Sequence, residues 1–159
     1  FREIMNFDLA RFYSANRFSS LVTAHPFLNN VSENRAYAHH NMGMILASMM
    51  DLSATGKIDF SEFGSIREVL FRGQRMGRIF NVLFTRKREI GDGDVTGELS
   101  SLRTESEIED SERFLREELG SLRKEIESFS SRIRTFSVRA YLEGLDSVGK
   151  LHEEMEGTI

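Results

Sequence analysis

Apolar residues recur along most of this chain at steps of three and four, the spacing that lines one face of a helix. Ile4, Met5, Leu9, Phe12, Tyr13 and, less regularly, Phe18 mark an amphipathic helix over residues 2–21. The pattern breaks at His25-Pro26 and Asn29-Asn30, because a residue before proline is pushed out of the α region. Asn30-Val31-Ser32 has the form of a glycosylation sequon and reads here as a turn in which Ser32 caps the next helix. That helix covers residues 32–50 and carries Met42, Ile45, Leu46, Met49 and Met50 on its apolar face. The methionines read as adaptable core filling, with a groove for a partner helix as the other use of such a face. His39 and His40 are neighbours, so on a helix they point about 100° apart and serve poorly as a metal pair. A further helix opens at Phe63, with Ile66, Val69, Leu70, Phe80, Leu83 and Phe84 in one stripe. Gly73 and Gly77 fall on that stripe and indicate a close helix approach or a bend.

The last third changes period. Leu115, Leu119, Leu122, Ile126, Phe129, Ile133 and Phe136 are spaced 4, 3, 4, 3, 4 and 3, the heptad seam of a coiled coil. Placing Leu119, Ile126 and Ile133 at a sets Glu118 and Arg123 where they can pair across a parallel partner. The reading is therefore a seam to a partner or to a second copy, over residues 104–140. After Ala140 the register fails, and Leu142, Leu145, Val148 and Leu151 follow a looser helical pattern in an end piece, residues 141–159.

Charge sharpens this picture. Between Gly64 and Arg88 the face opposite the apolar stripe carries Arg67, Arg72, Arg75, Arg78, Arg86, Lys87 and Arg88 against one acid, Glu68. Such a face suits an acidic partner or an anionic membrane surface, unless the chain supplies the opposite charge itself. It does so nearby: residues 89–127 hold thirteen acids and five bases. The net charge of −4 predicts no general affinity for nucleic acid. With no cysteine there is no disulfide, thiolate catalysis or sulfur-bound zinc, which fits an intracellular protein, cytoplasmic or organellar. One proline in 159 residues favours long helices. Phe1 implies a processed or truncated start.

The densest pattern is DLSATGKIDFSE, residues 51–62. Asp51, Ser53 and Thr55 place oxygens on alternate positions, Gly56 follows where a sharp turn needs positive φ, and Lys57 offers a carbonyl. Asp59 stands where a ligand binds through water, and Glu62 where a carboxylate chelates with both oxygens. The stretch resembles the EF-hand family, and the resemblance covers the loop and its flanks, residues 33–84. It implies one calcium ion held by Asp51, Ser53, Thr55, Lys57, Asp59 and Glu62, with Ile58 anchoring the loop to a neighbour. Ser53 and Thr55 replace the usual Asp or Asn, and the three carboxylates imply weak to moderate affinity. Residues 92–103, DGDVTGELSSLR, resemble a degenerate second loop: Asp92, Asp94, Thr96, Gly97 and Ser100 keep the order, but Arg103 stands in the chelator's place. Pairing of such loops would bring Ile58 to Leu99.

The expected architecture is all-α: an N-terminal helix and turn (1–31), an EF-hand lobe (32–103), a coiled-coil helix (104–140) and a helical end piece. The expected function is that of a calcium-binding regulatory protein attached through the coiled coil, with a structural scaffold subunit that senses no calcium as the alternative. No nucleophile with its base, phosphate loop or histidine pair at metal spacing points to an enzyme.

Overall fold

The computed structural model describes residues 1–92 and 97–156, and these are helical, with no strand among them. Six α-helices follow one another: α1 (Arg2–Ala24), α2 (Val31–Tyr37), α3 (Met44–Thr55), α4 (Phe63–Asp92), α5 (Glu105–Ser128) and α6 (Val138–Glu156). The all-α expectation holds. Helix α4 is the axis; α5 and α6 lie against it on one side, and α3 and the segment before it pack on the other, under α1. At 1.5 Å per residue its thirty residues reach about 45 Å.

Local chemistry differs from the sequence reading at several boundaries. Asn30, not Ser32, caps α2: its side chain accepts from the Glu33 amide at 2.9 Å, and the Glu33 carboxylate accepts from the Asn30 amide in return. The expected helix over 32–50 is two helices, because residues 38–42 tighten into a 3₁₀ turn and Gly43 takes φ +66°. Helix α3 then runs past Met50 to Thr55 and ends on Gly56 at φ +59°. Helix α5 opens with a reciprocal cap between Thr104 and Glu107 and stops at Ser128, inside the stretch read as one coiled-coil helix. Serines 128, 130 and 131 weaken helix propagation there, and the Ser128 hydroxyl bonds back to the Glu125 carbonyl at 2.6 Å.

Two apolar clusters flank α4. The first joins Met49 and Leu52 of α3, Ile66 and Leu70 of α4, Ile126, Ile133, and Leu142 and Leu145 of α6. The second joins Ile79, Val82 and Leu83 of α4 to Leu99 and Leu115. The heptad residues thus face inward: Leu115 and Ile126 are fully buried against their own chain, and Leu119 and Leu122 pack beside both clusters. Each large aliphatic side chain so buried is worth about 1.5–3 kcal/mol. Ile133 and Phe136 reach the core from the turn after α5, not from a continuing helix. Gly73 meets α6 so closely that a Cβ there would collide with the Tyr141 ring, whose buried hydroxyl has no hydrogen-bond partner among the described residues. Burial holds that phenol up to about 12.

Candidate functional site: the junction at Glu62

The EF-hand-like stretch occupies the end of the bundle where α3 passes into α4. Asp51, Ser53 and Thr55 lie within the last turns of α3, where Ser53 points away from the face that Asp51 and Thr55 share. The Ser53 hydroxyl donates to the Met50 carbonyl at 2.7 Å, and that of Thr55 to the Leu52 carbonyl at 3.0 Å. Lys57 and Asp59 are exposed, and the Asp59 carboxylate accepts from the Ser61 amide at 2.8 Å, capping the short turn that leads into α4. The Ser61 hydroxyl, then the Ser61 amide, holds Asp59 below the ordinary carboxylate range.

Glu62 points elsewhere. It is buried, and one carboxylate oxygen accepts from the Arg134 amide at 3.0 Å, the Thr135 amide at 3.0 Å and the Thr135 hydroxyl at 2.8 Å. The other oxygen stands 3.5 Å from the Arg134 guanidinium. The Thr135 amide and hydroxyl, then the Arg134 amide, hold the carboxyl down to about 2. A second strand of contact supports the first, since the Asp59 amide lies 3.4 Å from the Thr135 hydroxyl oxygen. The carboxylate read as a chelator therefore ties the start of α4 to the turn between α5 and α6. Among the described residues, no group of three or more His, Asp or Glu side chains is gathered closely enough to hold a metal ion.

Asp94 and Thr96 of the second loop fall outside the described residues. Leu99 packs into the second apolar cluster, whereas Ile58 rests against the first.

Much of the basic face of α4 is neutralised within the chain, and the Lys87 side chain lies outside the described residues. Arg67 grips Asp8 of α1 with two bonds, 2.7 and 2.8 Å. Arg72 meets Glu68 and Glu125, Arg75 meets Glu98 and makes two bonds to Glu118 of 2.8 Å each, and Arg86 reaches Glu112 at 3.2 Å. Rising positions on α4 thus meet falling positions on α5, as antiparallel helices require. Arg78 donates to Asn81 at 2.9 Å, and Arg88 is exposed. A surface for an acidic partner or an anionic membrane is in this way largely consumed by α1, α5 and Glu98.

His39 and His40 sit in the 3₁₀ turn before Gly43, their rings 4.0 Å apart. His39 Nδ1 lies 3.2 Å from the Arg35 carbonyl, and His40 Nδ1 lies 3.3 Å from Gln74 of α4. Burial, then the charges of His40 and Arg75, lowers His39 to about 4; burial and Arg11 lower His40. Sequence reasoning weighed this pair only as metal ligands and missed its contact with α4. No local signal reveals it, because Gln74 lies thirty-four residues further on.

Among the described residues, no helix is long and apolar enough to cross a membrane. No protein-family model, curated protein or solved structure matches the chain.

Proposed function

We propose that this chain is a structural helical module, a scaffold subunit in which the EF-hand-like segment joins helices instead of sensing calcium. The carrying observation is the engagement of Glu62 by three donors of residues 134 and 135. A calcium ion would have to take that carboxylate away from bonds that already satisfy it, and would gain only Asp51 and Asp59 as further charged ligands. The inward-facing heptads support the same reading: the Leu115–Ile126 seam stabilises one chain, so attachment falls to other surfaces. No constellation supports catalysis. Calorimetric titration of the whole chain with calcium, beside Asp51→Ala, tests the proposal. Identical, negligible heats for both proteins are expected at micromolar ion, whereas micromolar binding lost in Asp51→Ala would overturn it.

A calcium-responsive module is the second reading, favoured by one feature. Asp51, Ser53, Thr55, Lys57 and Asp59 are all exposed, and Gly56 already holds the positive φ that a loop needs. The last turn of α3 would unwind and Glu62 would swing from residues 134 and 135 to the ion. Calcium and the junction would then compete, so Thr135→Val, which removes one donor from Glu62, would raise calcium affinity under this reading and leave it absent under the first.

A further inference from the structure

We propose that Thr135 is a phosphoryl-acceptor site whose modification opens the Glu62 junction. The connection between α5 and α6, residues 129–137, is irregular, and buried Ile133 pins its middle while Arg132, Arg134, Thr135 and Ser137 are exposed. Its sequence is basic around two hydroxyls: Arg132 precedes Thr135 by three residues, Arg134 precedes Ser137 by three, and Arg139 follows. The Arg134 side chain, although 3.5 Å from Glu62, is 90% exposed, where an acidic substrate groove can read it. Charge patterns of this kind are how kinases choose substrates.

The consequence follows from what the hydroxyl does. Thr135 donates to Glu62 at 2.8 Å and faces the Asp59 amide at 3.4 Å. Transfer of the γ-phosphoryl group from a nucleoside triphosphate forms a bond from Thr135 Oγ1 to phosphorus and breaks the bridging P–O bond. The hydroxyl proton passes to the kinase's base, and the nucleoside diphosphate leaves. The donor to Glu62 is then gone, and a group of about −1.5 to −2 charge stands against an ionised carboxylate. Glu62 is driven from the amides of residues 134 and 135, and the α5–α6 turn parts from the start of α4. Ser137 has the opposite sense. Its hydroxyl accepts from the Ala140 amide at 3.2 Å at the start of α6, where added negative charge is favourable. The switch is independent of whether the module meets calcium.

The test is to treat the whole chain carrying Ser137→Ala with a basic-directed serine/threonine kinase and magnesium ATP, locate the phosphate by tandem mass spectrometry, and follow amide exchange and Tm. The expected result is phosphate on Thr135, at least tenfold faster exchange at the Arg134 and Thr135 amides, and a lower Tm. Thr135→Glu compared with Thr135→Gln reads the charge without a kinase, and the gap between them should shrink in a Glu62→Gln background. The proposal is overturned if the kinase modifies a peptide of residues 129–140 to completion but leaves Thr135 of the folded chain untouched. It is overturned equally if phosphate on Thr135 changes neither exchange nor Tm.

Discussion

The two halves of α4 are held by different chemistry. Toward its N-terminus several contacts are enclosed: Glu62 takes two backbone amides and a hydroxyl, Asp8 and Arg67 form a two-bond pair with side chains 3% and 14% exposed, and Gln74 accepts from the Ile45 amide at 3.1 Å, while Arg72 meets Glu68 and Glu125 nearer the surface. Toward its C-terminus Arg86 meets Glu112 of α5, both about a quarter open to water. An enclosed polar group that loses its partner suffers the full penalty of burial, while an open one turns to solvent. The difference teaches that a charged contact fixes a helix where it is enclosed and merely decorates it where it is open.

Four outcomes would break or sharpen this contrast. The largest belongs to Arg67→Ala, which strands the Asp8 carboxylate; a loss of about 3–5 kcal/mol is expected in urea unfolding. A loss below about 1 kcal/mol would mean that water reaches Asp8 and that the N-terminal half is not enclosed. Next comes Glu62→Gln, for which a fall in Tm of roughly 5 °C at neutral pH is expected. Its pH dependence is diagnostic. The folded carboxyl titrates at about 2 against 4.5 when unconstrained, so its contribution is complete above 4.5 and fades as pH falls toward 2. The variant should lose that part of the acid transition.

A smaller effect is expected from His39→Gln, and in another window. His39 is lowered from 6.5 to about 4, so the unfolded chain binds a proton that the folded chain refuses, and stability falls as pH drops between those values. His40 and Arg75 oppose the proton alongside burial, so the variant should flatten Tm between pH 6.5 and 4 while leaving the lower transition intact. The smallest effect is expected for Arg86→Ala, below about 1 kcal/mol and reduced further by salt. If it matched Arg67→Ala, the contrast between the halves would be lost.

Much of the architecture is legible in the chain, because the three-and-four spacing of Ile66, Val69 and Leu70 follows directly from the geometry of a buried helix face. The destination of a face is less so. A heptad seam is the same string whether its partner is a second copy or α4 of the same chain, and Leu115 and Ile126 chose the latter. Phe129 and Ile133 keep the heptad arithmetic although the helix has already ended, since a turn can deliver two side chains to a core as well as a helix can. The site is harder still. The order Asp51, Ser53, Thr55, Gly56 reads alike in a loop and in the last turn of a helix capped by a glycine. The partners of Glu62 stand more than seventy residues away, beyond the reach of any local pattern.

The most direct test of the central claim is thermal unfolding of the natural chain and Glu62→Gln, each in a calcium chelator and in millimolar calcium. If Glu62 is a junction, the variant melts lower by the same amount in both solutions, and the natural chain melts at one temperature in both. If instead the natural chain gains stability from calcium and Glu62→Gln abolishes that gain while matching it in chelator, Glu62 is an ion ligand and the account is contradicted.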